Sequence, residues 1–281
     1  MTDFDQFLQG LAAQDAVLVT VHSHRGSVPR EAGAWMAVFA DHVVGTVGGG
    51  HVEWQAQQEA RQMLAVAGPA QLRRYPLGPA LGQCCGGEMH LRYERVSAPD
   101  LSALRLRQAE QTAAWPLVVL FGGGHVGRAL MAVLQTLPLR LQWIDSREEI
   151  FPSDVAARVL CEHSQPVHAA VASLPPGAHV LIMSFSHAED MDVVAACLQR
   201  HRDRADVPFV GLIGSHTKWA TFRHRLLARG FSESELARVT CPIGVAGIVG
   251  KEPEVIAVAV AAQLLQVTQQ VTHRVASAHN D

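Results

Sequence analysis

The stretch "LVVLFGGGHVGRAL", residues 117–130, passes from an unbroken apolar run into a glycine cluster and then into an amphipathic pattern. Leu117 to Phe121 reads as a strand buried on both faces, because alternation is absent. Gly122, Gly124 and Gly127 then satisfy G-x-G-x-x-G at the mouth of a predicted helix, "HVGRALMAVLQTL", with His125 inside the motif. Glycines here allow a tight turn and close approach of a phosphate or diphosphate, which free N–H groups and the helix dipole favour. Asp145 closes the next predicted strand, "LRLQWID", where a carboxylate would accept hydrogen bonds from a ribose or similar diol. The same glycines could serve only close helix-to-sheet packing, and the motif does not name its ligand.

Downstream the alternation continues. "HVLIMSF" and "FVGLIG" read as strands, and "DMDVVAACLQRH" and "TKWATFRHRLLARG" as helices. This is the pattern of a Rossmann-like parallel α/β domain, expected over residues 115–281. His187, in "SFSHAED", falls at the end of a predicted strand, the edge where open α/β sheets bind ligands. The last helix, "PEVIAVAVAAQLLQ", has Pro253 in its first turn and is apolar on nearly every face. That predicts a homodimer, with burial inside one subunit as the competing account.

Upstream, residues 98–114 read as a linker helix and residues 1–97 as a mixed α+β domain. A short helix reaches about Ala13, followed by strands in "AVLVTVHSHRG", "AWMAVFAD" and "HVVGTVGGG". Val52, Ala56, Ala60, Met63 and Ala67 lie at helical spacing before a stop at Gly68-Pro69. Strands in "QLRRYPL" and "EMHLRYERV" close the segment. The fold class is therefore α/β in two parts.

Composition narrows the function. With 281 residues, 48% hydrophobic and 17% charged, the chain is an ordinary globular protein of one or two domains. A formal net charge of -3, without a basic cluster, argues against nucleic acid as a partner. No apolar run reaches about 18 residues and the N-terminus lacks a signal-peptide pattern, so a cytoplasmic protein without membrane attachment is expected. Five cysteines read as free thiols, and without H-E-x-x-H or C-x-x-C no dedicated zinc site is expected.

Two further stretches carry chemistry. Arg25 and Arg30 flank a Gly-Ser-Val-Pro turn, and Gly48, Gly49 and Gly50 run into a helix beginning near His51. Guanidinium groups and helix-start amides together suit an anion, while Glu53 is either part of that site or a partner for the helix dipole. In "GQCCGGEMHL", residues 82–91, adjacent cysteines permit only a strained vicinal disulfide and lack thioredoxin-type spacing. A metal ligand, a thiol exposed by Gly86 and Gly87, and an inert packed thiol all remain open.

In order, "GSVPREAGAWMAV", "GTVGGGHVE", "CGG", "FGGGHVGRAL" with "WIDSR", "FSHAEDMD", "GLIGSHTK" and "CPIG" resemble the XdhC/CoxI family of accessory proteins for molybdenum hydroxylases, most of all its XdhC branch. The resemblance runs from about Val17 to Leu265. It implies a chaperone rather than an enzyme: one that binds the molybdenum cofactor (molybdopterin), protects it while a cysteine desulfurase sulfurates it, and delivers it to apo-xanthine dehydrogenase. It also implies a dimer, and a crevice between the two domains for a pterin with a phosphate tail. Cys85, directly before Gly86-Gly87, is the cysteine the resemblance singles out, its sulfur suited to molybdenum or to transferred sulfur. The alternative is an NAD(P)-dependent oxidoreductase, with the dinucleotide on the 122–127 loop and Asp145, and His187 or a cysteine in acid-base chemistry. A third possibility is a nucleotide-sensing module without turnover.

Overall fold

A computed structural model describes residues 2–66, 68–77, 87–155 and 158–278, with side chains to residue 269. The chain divides into two compact units, Met1–Ala109 and Glu110–Asp281.

The first unit is a five-stranded antiparallel sheet in the order β3-β2-β1-β5-β4. Its strands are β1 (Ala16–Arg25), β2 (Trp35–Val38), β3 (Val43–Gly45), β4 (Gln71–Pro76) and β5 (Glu88–Val96). Alternation along β1 sorts the core into two layers. Val17, Val19 and Val21 join Val52, Ala56, Ala60 and Met63 of α2 (Gly50–Ala65) on one face. Ala16 and Leu18 meet Phe7, Leu8 and Leu11 of α1 (Asp3–Leu11) on the other. A side-chain period of two therefore covers both faces of the sheet with helix. From α2, Glu59 accepts hydrogen bonds from Arg73 (2.6 Å) and Tyr75 (2.5 Å) of β4, fixing the helix to the sheet's edge strand.

The boundary between the units falls within α3 (Leu101–Ala113). The second unit's six-stranded parallel sheet has the order β11-β10-β9-β6-β7-β8. The strands are β6 (Leu117–Phe121), β7 (Arg140–Asp145), β8 (Val159–His163), β9 (His179–Ile182), β10 (Phe209–Leu212) and β11 (Val239–Thr240). All five residues of β6 are buried, as the unbroken apolar run predicts, because helices cover both faces. Leu117, Val119 and Phe121 enter the layer under α5 (His187–Arg204), α6 (His216–Ala228) and the short α7 (Glu233–Leu236). Val118 and Leu120 enter the layer under α4 (His125–Leu134) and α8 (Pro253–Ala278). The chain builds outward from β6 through β7 to β8, then returns to lay β9, β10 and β11 on the opposite side. The order reverses between β6 and β9, which is where open α/β sheets form their crevice.

Two differences from the sequence reading have physical causes. β9 stops at Ile182 rather than running to Phe185: Met183 N–H still reaches Phe121 O at 2.9 Å, but Ser186 turns to cap α5 by accepting from Glu189 N–H. β8 carries no clear sequence signal because it is an edge strand, mostly exposed beyond Val159. The apolar face of α8 also has an occupant within its own unit, since Ala257, Val260, Ala261 and Leu264 pack with Leu130, Met131 and Leu134 of α4. Its composition alone does not require a second copy, although Val258 remains exposed.

Candidate functional site

The carboxyl edge of the parallel sheet gathers the predicted glycines, and they divide into two kinds. Gly122 has φ +119°, and a Cβ built there would lie 2.0 Å from the Met183 carbonyl oxygen. Its own carbonyl accepts the Trp143 indole N–H at 2.9 Å, and a Cβ at Gly127 would lie 2.2 Å from that same oxygen. A Cβ at Gly123 would meet Ile150 at 2.6 Å. These three glycines are demanded by packing. Gly124 is different: it is exposed, its φ of -70° suits any residue, and a Cβ there would meet nothing within 4 Å. It caps α4 without a side chain, and the first turn of α4 holds no acid. The starts of α5 and α6 are capped by the Ser186 and Ser215 hydroxyls. The α4 N-terminus thus keeps its positive end open to solvent through a gap that the fold itself does not need.

Asp145 stands beside this loop but is already engaged. Its Oδ2 accepts from Gly123 N–H (2.6 Å) and the Arg147 guanidinium (2.8 Å), and its Oδ1 from Arg147 N–H (2.9 Å) and Nε (2.8 Å). Burial alone would raise this carboxyl's pKa, but the Arg147 side chain and the two backbone amides outweigh it and hold it below its ordinary value. A ribose would have to displace Arg147 to use this residue as the sequence reading expects. The guanidinium in turn lies 4.6 Å from the centre of the Phe185 ring, which is 66% exposed. Glu189 accepts from Ser146 Oγ at 2.7 Å and from Phe185 N–H at 3.1 Å. The loops after β7 and β9 therefore clasp each other across the end of β6.

His125 and His187 are exposed at the starts of α4 and α5, and the His187 ring sits edge-on to Phe222 at 6.4 Å. Sequence reasoning missed the strongest polar feature of this edge. Asp190 Oδ2 accepts from Lys218 Nζ at 2.6 Å, and Oδ1 accepts from Ser184 N–H at 2.7 Å, in a largely buried pair. Both residues lie in quoted motifs, "FSHAEDMD" and "GLIGSHTK", and the scarcity of lysine was the available signal. The cysteines described here are poor thiolates: burial pushes Cys197 up to about 12 and Cys241 up to about 11.

In the antiparallel unit the structure brings the other candidates together around two turns. Gly48, Gly49 and Gly50 all have positive φ, at 125°, 75° and 68°. A Cβ at Gly48 would lie 2.6 Å from the Pro29 ring and 3.4 Å from Arg30 Cγ, so the Pro29-Arg30 turn packs directly on the glycine loop. Glu53 folds back onto this loop, its Oε2 accepting from Thr46 Oγ1 (2.5 Å), Val47 N–H (3.0 Å) and Gly49 N–H (3.0 Å). Its role here is to shape the loop from within. Gly49 caps α2 without a side chain, leaving the helix-start amides beyond it open. Arg25 and Arg30 are exposed, and Arg25 pairs with Glu88 in the β1–β5 register. Gly87 lies against the Arg25 and Ser27 carbonyls, where a Cβ would come within 2.8 Å and 2.2 Å of their oxygens. Cys84, Cys85 and Gly86 lie outside the described residues. Among the described residues no group of three His, Cys, Asp or Glu side chains could hold a metal ion, and no helix is long and apolar enough to cross a membrane.

Comparison with known proteins matches this arrangement. Residues 118–264 match the model of the XdhC Rossmann domain, and residues 11–76 that of the XdhC and CoxI family. The chain is 29% identical over 249 residues to the uncharacterized protein YqeB of Escherichia coli (strain K12), covering 86% of this chain and 42% of YqeB. It thus spans less than half the length of that relative. A crystal structure from Bacillus halodurans described as a xanthine dehydrogenase superposes with a TM-score of 0.75 at 18% identity, covering 96% of each chain, and so shares the fold. Two family models, matching successive parts of one chain whose glycine loops sit where the motifs require, place this protein in the XdhC and CoxI family.

Proposed function

We propose that this protein is an accessory chaperone of molybdenum hydroxylase maturation. It binds the molybdenum cofactor, shields it during sulfuration by a cysteine desulfurase, and passes it to apo-xanthine dehydrogenase. The observation that carries this reading is the open α4 N-terminus at Gly124, in a chain of the XdhC and CoxI family whose fold is shared by a structure described as a xanthine dehydrogenase. A phosphate tail fits that opening, where Asp145 takes the Gly123 N–H and the N–H groups at the start of α4 face the exposed Gly124. A second anion position, at the Gly48–Gly50 loop with Arg30, suits the same chemistry in the other unit.

The donor set agrees with a metal carried on an organic ligand. Such a cargo needs phosphate and ring contacts more than a protein cage, and the described side chains offer no such cage. When bound, the cofactor's metal chemistry serves the target enzyme, while this chain's residues bind and shield it. Cys85 is proposed as the protein thiol that meets the cargo, with Cys84 taking no part in binding it. The dinucleotide alternative draws less support, because Asp145 is committed to Arg147 and Gly123. The test is reconstitution of apo-xanthine dehydrogenase with limiting sulfurated cofactor. Addition of this protein should raise the recovered activity, and no gain at any ratio would reject the assignment.

A further inference from the structure

The amino edge of the parallel sheet carries a cavity of about 380 Å³, at the opposite end of β6 from Gly122 and wholly within the second unit. Strand pairing explains what lines it. Leu117 of β6 stands beside Arg140 of β7, and Gln142 of β7 beside Leu160 of β8. A side-chain period of two puts all four on one face of the sheet, with Arg158, two residues before Leu160, in line with them. Their neighbours Leu141 and Val159 enter the core under α4 and α8 on the other face. Parallel sheets are ordinarily covered by helix on both faces. Here, among the described residues, the β7–β8 connection holds no helix and the β8–β9 connection only the 3-10 segment Val167–Ser173. This corner of the sheet is left bare, and Leu160 is 61% exposed. Trp115, from the segment leading into β6, also lines the cavity.

Two guanidinium groups meet these mostly apolar walls, and among the described residues no acid lines them. The buried Gln142 amide is already engaged, donating to Glu162 at 2.7 Å. Arg140 Nε donates to Trp115 O at 3.1 Å, which fixes the guanidinium at the cavity, and its two terminal nitrogens donate to no group among the described residues. Arg140 and Arg158 share one face on neighbouring strands, and like charges so placed repel. An anion between them offsets that repulsion, and a carboxylate matches the planar fork of a guanidinium. The volume falls at the small end of the roughly 300–1,000 Å³ of ligand pockets, which are mostly apolar with a few polar groups that fix orientation. We propose that this cavity binds a small apolar carboxylate, its aromatic or hydrocarbon body against Leu117, Leu160 and Trp115 and its carboxylate on Arg140 and Arg158. The glycine loop lies roughly 16 Å away along β6, at about 3.3 Å per residue, so the site is independent of the cofactor reading.

The probes are 1-naphthoate and its uncharged counterpart 1-naphthalenemethanol, titrated calorimetrically into the full chain. Naphthoate should bind saturably, at one site per chain and about tenfold more tightly than the alcohol. Arg140→Gln should weaken naphthoate about tenfold, the loss of a charge-assisted hydrogen bond, and leave the alcohol unchanged. Leu160→Asp should weaken both ligands, whereas Leu72→Asp, at an exposed apolar position on β4, should affect neither. All three positions are exposed, so melting temperatures should stay near wild type. Absence of saturable naphthoate binding overturns the site. So do equal losses for acid and alcohol in Arg140→Gln, or equal losses in Leu72→Asp and Leu160→Asp, which would mark nonspecific apolar contact. A concentration-dependent dimer that Leu160→Asp dissociates, with no naphthoate binding, would overturn it by giving this face to a second copy of the chain.

Discussion

Replacing Gly124 by Val separates ligand binding from folding. The backbone there has φ -70°, and a Cβ meets nothing within 4 Å, so the substitution creates no clash. The cost to the fold is the weaker capping preference of valine, about 1 kcal/mol. In a unit of this size that lowers the melting temperature by roughly 2–4 °C. On the ligand side, the valine side chain fills the space in front of the first N–H groups of α4. Losing two charge-assisted hydrogen bonds to phosphate, at about 1.5 kcal/mol each, removes about 3 kcal/mol. This corresponds to roughly a hundredfold weaker dissociation constant. The assay is equilibrium titration with molybdenum cofactor released from a donor enzyme, paired with thermal unfolding of the same preparation. An unchanged affinity with an intact fold would show that the opening at Gly124 is not where the ligand's phosphate sits.

Gly122→Ala should behave oppositely, since its Cβ would stand 2.0 Å from the Met183 oxygen at a φ of +119°: soluble yield and melting temperature should both fall sharply, and a wild-type melting curve would refute the packing assignment. Arg30→Ala should weaken cofactor retention by about 1.5–3 kcal/mol if its guanidinium meets an anionic group, whereas a change confined to melting temperature would make it structural. His179 is buried in β9, and burial pushes its imidazole below the ordinary value against weaker support from the Leu117 and Gly177 backbone. The unfolded chain therefore takes up this proton first, and the stability contributed by the neutral ring is lost as pH falls below about 6.5. Urea unfolding from pH 7 to pH 5 should show a shallower pH dependence in His179→Leu than in wild type, and parallel curves would contradict this. Cys85→Ala should impair cofactor binding or transfer while Cys84→Ala remains mild. Equal, wild-type behaviour of both would mark the pair as a packing feature.

The β6-loop-α4 unit was legible in the sequence because its signals are local: an apolar run, fixed glycine spacing and a helical period within adjacent residues. The buried Trp143 ring donates its indole N–H to Gly122 O, a hydrogen bond that no local pattern shows. Spacing could not distinguish Gly124 from Gly122 and Gly127, because the difference lies in what each Cβ would touch across the fold. Asp145 was correctly placed at the strand end, but its partner Arg147 lies only two residues away and takes the oxygens first. Asp190 and Lys218 belong to different helices and meet only when β9 and β10 lie side by side, a pairing no local pattern encodes. Glu53 shows a local ambiguity: a first-turn acid can face the dipole, a ligand or its own loop, and here three donors of the loop claim it.

The central claim is that the chain carries molybdenum cofactor at a site that opens through Gly124. The direct measurement is molybdenum, pterin and nicotinamide nucleotide content, in one purification series from a host that makes the cofactor, for wild type and Gly124→Val. The account predicts molybdenum and pterin about equimolar with the wild-type chain and strongly depleted in Gly124→Val, with little bound nucleotide. Bound NAD(P) equimolar with the wild-type chain, accompanied by neither molybdenum nor pterin, would contradict it.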